Sequence, residues 1–94
     1  MTAYWIAHVT VTDPEAYANY RNLAPAAFKR YGAQFLAQGG TAEILEGEAH
    51  DRHVIIAFPD LQTARACYAS AEYQAARAAR RGAANVQVVI VEGI

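Results

Sequence analysis

Histidines are the side chains in this sequence whose ordinary titration range lies closest to neutral pH, so they are the first candidates for acid–base chemistry. His8 interrupts an apolar segment that runs from Tyr4 to Val11. An imidazole held in a cleft at this point could donate or accept a proton during a reaction. We therefore take His8 as the candidate catalytic residue, with a hydrogen-bonded structural or interface histidine as the alternative.

His50 and His53 are spaced i, i+3, which invites comparison with a metal site. The pair spans a loop and the start of a strand, and no third ligand follows at the short spacing typical of zinc sites. We predict no metal and no cofactor, and we keep His53 as a candidate ligand-binding residue.

Aromatic side chains offer a second kind of site. Tyr20 and Tyr68 lie on the apolar faces of two predicted helices, and we expect them to face each other across a cleft between helices and sheet. There they could bind an aromatic or enol-like ligand, with Trp5 contributing. The alternative is that these rings belong to the core, with their hydroxyls at its rim.

Arg77, Arg80 and Arg81 cluster near the C-terminus of a predicted helix. A favourable interaction with the helix dipole and solvation explain them, and an acidic ligand is the alternative. Cys67, the single cysteine, lies on an apolar helix face and is interpreted as inert filling.

Periodicity and capping signals predict the elements that must position these residues. The predicted strands are 4–12, 33–38, 41–46, 53–58 and 85–92, and the predicted helices begin after Asp13, Asp60 and Ser70. Pro25 falls inside the first helix and predicts a kink or a break. Taking Gly39-Gly40 as an interruption within one strand gives the order βαββαβ, which is the ferredoxin-like arrangement of the α+β class. We expect an antiparallel sheet with the helices on one face.

The strands predict a homodimer. In this arrangement one sheet face carries no helix, yet segments such as 54–58 and 88–91 are apolar on both faces. A solvated face would expose more apolar surface than a monomer usually tolerates. We therefore expect two sheets to pack face to face about a two-fold axis.

Composition limits the classes of function. The chain has 94 residues, which predicts a single domain over 1–94, and its formal net charge of −1 argues against nucleic acid as a partner. No apolar run is long enough to span a membrane, so no membrane partner is expected. With one cysteine and no signal-peptide pattern, the simplest location is the cytoplasm.

Several stretches together resemble a bacterial family of unknown function, numbered 1330, within the dimeric α/β-barrel superfamily. They include Val11 to Tyr17, Gly39-Gly40, Phe58-Pro59, Ser70 to Tyr73 and Val91 to Gly93. Relatives often carry Pro at the position of Ala71 and a basic residue at that of Gln38. The resemblance implies the fold and the dimer but no activity.

We accordingly expect a small-molecule enzyme or binder that acts on an apolar or aromatic metabolite without a cofactor. By analogy with more distant barrel relatives, its chemistry would be that of a monooxygenase or an isomerase. The alternative is a non-enzymatic structural or stress-associated homodimer.

Overall fold

The computed structural model describes all residues, Met1–Ile94, as four strands and three helices. In chain order these are β1 (Ala3–Val11), α1 (Pro14–Arg30), β2 (Gln34–Gln38), β3 (Arg52–Phe58), α2 (Leu61–Ala69), α3 (Ala71–Ala79) and β4 (Ala84–Glu92). The sheet has the strand order β2-β3-β1-β4, and all its pairings are antiparallel. This confirms the predicted ferredoxin-like βαββαβ fold, in which α2 and α3 together form the second crossover.

The helices begin where the capping residues predict. The Asp13 carboxylate accepts a hydrogen bond from the backbone N–H of Ala16 at 3.2 Å, and the Asp60 carboxylate accepts one from that of Thr63 at 2.7 Å. The buried Ser70 hydroxyl ends α2 and begins α3, since it donates to the Cys67 carbonyl and accepts from the Tyr73 N–H. This short turn leads into α3, which packs against α1, and it places the Tyr73 ring edge to face on Trp5 of the sheet.

Two local predictions concern Pro25 and residues 41–46. Helix α1 continues through Pro25, so of the expected kink or break the break is absent. Residues 41–46 form no strand, because Gly39 adopts φ +68° and turns the chain away from the edge of β2. Residues 39–51, the connecting loop, instead pass towards the His8 end of the sheet and help to line a groove there.

The central strand β1 separates two surfaces by its period of two. Trp5, Ala7 and Val9 point towards the helices and are buried. The intervening side chains point to the opposite side, which we call the open face. Cross-strand partners share a face in an antiparallel pair. On β3, β1 and β4 the open face therefore carries Tyr4, Ile6, His8, Thr10, His53, Ile55, Ala57, Asn85, Gln87, Val89 and Val91.

None of the three helices combines the length and the apolar character needed to cross a bilayer.

Candidate functional site

A cavity of about 230 Å³ lies between the sheet and helices α1 and α3, and we call it the helix–sheet cavity. Of its 18 lining residues 13 are hydrophobic, so it suits a ligand that is largely apolar. The exposed residues Arg21, Pro25 and Gln38 lie at its rim. Its lining also includes two arginines, Arg52 and Arg80, and three tyrosines, Tyr17, Tyr20 and Tyr73, all at least partly buried.

Trp5 forms the aromatic wall of this cavity. Its side chain is 1% exposed, and its ring meets those of Phe28 and Tyr73 edge to face at centroid distances of 5.2 and 5.0 Å. Phe58 stacks behind it at 5.9 Å. Edge-to-face packing fixes the orientation of each ring, so the cavity has a defined aromatic wall.

Tyr20 of α1 and Tyr73 of α3 join their hydroxyls across the cavity, with an O···O distance of 3.0 Å. Burial is the main cause that raises the pKa of each phenol above its usual value, so both hydroxyls keep their protons at neutral pH. One proton is shared between the two oxygens, and the second remains available to a ligand oxygen. The pair is thus a hydrogen-bond donor, not a phenolate base.

Arg80, at the C-cap of α3, has its charge buried among these rings. The residue is 7% exposed, and its guanidinium carbon lies 4.9 Å from the Tyr20 ring centroid and 6.0 Å from that of Tyr73. Its Nη1 is buried and has no hydrogen-bond partner. Buried arginines are almost always paired, so this one is unusual.

The other charged groups of the lining have the same sign. Arg21 and Arg52 also line the cavity, and its lining includes no aspartate or glutamate. No carboxylate forms an ion pair with Arg21, Arg52 or Arg80. On its other side Arg80 borders a second groove with Arg65 and Arg77. The cavity therefore carries uncompensated positive charge.

A different cluster lies on the open face. His8 and His53 are direct cross-strand neighbours, and their Nδ1 atoms are 2.8 Å apart. Thr10 Oγ1 lies 3.0 Å from His50 Nδ1, while His50 Nε2 lies 3.4 Å from a Glu48 carboxylate oxygen. These side chains do not form a group that could hold a metal ion. The His8–His53 hydrogen bond needs one ring to donate and the other to accept, so it is lost if both rings are protonated.

The structure separates residues that the sequence analysis grouped in one cleft. His8 and His53 lie on the open face, whereas Trp5 and Tyr20 line the helix–sheet cavity on the opposite side of the sheet. The sequence analysis considered His8 as an acid or base in a cleft, and the structure places its side chain on the open face because even-numbered residues of β1 point away from the helices.

The expected partner of Tyr20 is also different. Tyr73, not Tyr68, pairs with it, because the turn at Ser70 directs Tyr73 into the cavity. Tyr68 packs on Trp5 at a centroid distance of 5.7 Å and instead lines the second groove, which Arg80 borders with Arg65 and Arg77. Tyr73 and Arg80 had sequence signals, as an apolar-face tyrosine and one of three clustered arginines, but nothing distinguished them from their neighbours.

Burial raises the pKa of the Cys67 thiol to about 11, with a smaller contribution from the Glu72 carboxylate. The side chain is fully buried in the core and makes a weak hydrogen bond to the Ala27 carbonyl at 3.8 Å. A protonated, buried thiol is a poor nucleophile, so Cys67 is not a candidate for covalent chemistry.

Comparison with known proteins gives a family match. Residues 2–94 match a family model described as Domain of unknown function (DUF1330), which confirms the resemblance seen in the sequence. None of the curated proteins matches the chain.

Solved structures share the fold. A protein of unknown function from Rhodopseudomonas palustris aligns with a TM-score of 0.77 at 20% identity, covering 99% of this chain and 82% of that one. A dimeric ferredoxin-like protein of unknown function from Jannaschia sp. CCS1 gives 0.71 at 15% identity, with coverages of 99% and 100%. SnoaB, a cofactor-independent oxygenase from Streptomyces nogalater, gives 0.65 at 17% identity, with coverages of 99% and 93%. At these identities the likeness establishes the fold alone.

The raised pKa values of Tyr20 and Tyr73 predict a loss of stability in alkaline solution. A tyrosine in the unfolded chain ionises near pH 10, whereas these two stay protonated in the folded protein, so unfolding releases protons above that pH. Each group then lowers the free energy of unfolding by up to about 1.4 kcal/mol per pH unit. Urea titrations between pH 8 and 11 should show a shallower decline for Tyr20→Phe than for the unmodified protein. Parallel declines would contradict this assignment.

Proposed function

We propose that this chain, which belongs to the family described as Domain of unknown function (DUF1330), is a homodimer that binds a small aromatic metabolite in the helix–sheet cavity of each protomer. The observation that carries the proposal is the cavity itself, in which an aromatic wall faces the unpartnered Arg80 Nη1 and the hydroxyl pair of Tyr20 and Tyr73. Preformed sites for small molecules usually combine apolar walls with a few placed polar groups.

The size and the lining of the cavity define the ligand class. A volume of about 230 Å³ is below the roughly 300–1,000 Å³ of sites for drug-sized molecules, so it fits a compound of one or two rings. Trp5, Phe28 and Tyr73 offer ring edges and faces to such a compound. The Tyr20–Tyr73 hydroxyl pair and Arg80 offer hydrogen bonds to its oxygen atoms.

The open face supports the dimer. Val89 and Val91 are 53% and 46% exposed, and Ile55 is 36% exposed beside them. These side chains form one apolar strip across β3, β1 and β4, together with Tyr4 and Ile6. A second copy related by a two-fold axis would cover this strip with an identical one. The dimeric Jannaschia protein, which shares the fold, makes a second copy the occupant that we propose.

In this arrangement the histidine cluster belongs to the interface and not to the ligand site. His8, His53 and Gln87 lie at one end of the same apolar strip. We propose that His8 has a structural role there, which was the alternative for this residue in the sequence analysis.

Catalysis without a cofactor is a second candidate function, and the cavity's donors favour it. The free phenol proton of the Tyr20–Tyr73 pair and the Arg80 guanidinium could together stabilise negative charge developing on a ligand oxygen, as in an enolate. SnoaB, with the same fold, is a cofactor-independent oxygenase. Uptake of dioxygen when an aromatic enol is bound would support the enzymatic function, and binding without turnover would leave the binding function alone.

The ligand proposal predicts that binding is lost when the cavity is filled and kept when the open face is changed. Trp5 is the single tryptophan, so its fluorescence and its indole N–H resonance report directly on the cavity. In a screen of one- and two-ring aromatic compounds, a hit should shift both signals. Ala24→Met, which places a larger side chain in the cavity, should weaken that hit at least about tenfold by loss of the space it occupies.

The matched control is His8→Ala on the opposite side of the sheet, which should change the affinity by less than about twofold. The ligand proposal is overturned if no aromatic compound moves the Trp5 signals, and the non-enzymatic structural homodimer would then stand. Loss of binding in His8→Ala with an intact dimer would return the ligand site to the open face.

The dimer proposal predicts that one charge on the open face separates the protomers. Val89→Lys places an ammonium group in the apolar strip, where burial against a second copy would leave it unpaired and cost several kcal/mol. Sedimentation equilibrium should show the unmodified protein as a dimer and Val89→Lys as a folded monomer. Ala66→Lys, an exposed position on α2, should remain dimeric. A dimer that persists in Val89→Lys would refute packing through this face.

A further inference from the structure

We infer that the ligand of the helix–sheet cavity is a small aromatic carboxylate whose carboxylate group is held by Arg80. This inference rests on the proposed binding function and narrows it from aromatic compounds in general to anionic ones. It follows from the Arg80 side chain, from the hydroxyls beside it and from the charge of the whole lining.

The Arg80 guanidinium is a buried cation without a counter-ion. Its Nη1 atom is shielded from solvent and makes no hydrogen bond. The guanidinium group lies over the ring faces of Tyr20 and Tyr73. The cation–π contacts offset only part of the loss of hydration. A carboxylate is the natural partner for a planar guanidinium that lacks hydrogen bonds, because it can accept two parallel N–H hydrogen bonds from it.

The tyrosine pair supplies a third donor beside Arg80. Because one phenol proton lies between the two oxygens, the remaining O–H can bond to the same ligand group as the guanidinium. Both rings face the Arg80 guanidinium, so its charge and the hydroxyl pair lie within one small region of the cavity. Donors converging in this way favour an acceptor-only group, which an ionised carboxylate is and an amide is not.

The rest of the lining determines the remainder of the ligand. Arg21 at the rim and Arg52 in the lining have the same sign of charge as Arg80, and the lining has no carboxylate that would repel an anion. Beyond Arg80 the walls are Trp5, Phe28 and aliphatic side chains of the sheet. A single deeply buried cation opposite an aromatic wall fits a monoanion attached to a ring.

The test compares 2-naphthoate with 2-naphthamide, which have the same ring system and a planar group of similar size but differ in charge. Isothermal titration calorimetry on the full chain should give at least about tenfold tighter binding of the naphthoate, as expected for a charge-assisted hydrogen bond. The preference should shrink at high salt. Arg80→Gln should abolish the preference while leaving naphthamide binding within about threefold.

Two further variants test whether the preference for naphthoate depends on the Arg80 side chain and not on positive charge in general. Arg81→Gln removes the same charge from an exposed neighbour outside the cavity and should keep the preference. Arg80→Lys should keep part of it, since the charge remains but the planar pair of donors does not.

Each outcome decides the inference. Equal affinity for the two probes, or a naphthoate preference that survives in Arg80→Gln, overturns the anion assignment but leaves the aromatic-binding function standing. Failure of both probes to bind and to shift the Trp5 signals overturns the inference, and the same failure across the whole screen of aromatic compounds overturns the proposed function as well. The comparison of the two probes on the unmodified protein needs no variant to fold.

Discussion

The period of two in strand β1 is the constraint on which both surfaces of the molecule depend. Because β1 lies between β3 and β4, each of its side chains must point either to the helices or to the open face. The Trp5 side chain therefore points to the core, and the side chains of Ile6 and His8 point to the open face. The proposed ligand site and the proposed dimer interface therefore share this short strand without sharing a side chain. The histidine cluster and the cavity are consequently separate features, even though His8 lies three residues from Trp5.

The helix–sheet cavity departs from ordinary core packing at one point, which is the Arg80 charge. A core of this size gains most of its stability from apolar burial, and an unpaired cation opposes that gain. The surrounding tyrosines reduce the cost by presenting their ring faces, but they provide no counter-charge. A feature that costs stability in the free protein is expected where binding requires it, and the proposed ligand would supply the missing partner. Arg80 at the C-cap of α3 and Tyr73 on the same helix meet Tyr20 of α1, so this cluster depends on the packing of α3 against α1.

Much of the fold could be predicted from the sequence, whereas the geometry of the site could not. Asp13, Asp60 and Ser70 carry their structural signal in their own side chains, which cap the helices they precede. The face of β1 that carries His8 has no such local signal, because Ile6 and Tyr4 are as apolar as Ala7 and Val9. Residues 41–46 have strand-like composition, but strand formation needs a free sheet edge, and the turn at Gly39 leads the chain away from it. The Tyr20–Tyr73 contact joins residues 53 positions apart, so only the packing of α1 on α3 reveals it.

The most direct measurement of the central claim is the free energy of unfolding of Arg80→Met in the absence of any ligand. If the guanidinium is retained for a ligand and has no partner in the free protein, an apolar side chain of similar length should leave stability unchanged or raise it by about 1–4 kcal/mol, as for other replaced buried charges. Urea unfolding at neutral pH gives this quantity for the variant and the unmodified protein side by side. A loss of about 3 kcal/mol or more would contradict the account, because it would mean that Arg80 already holds structural partners and serves the fold.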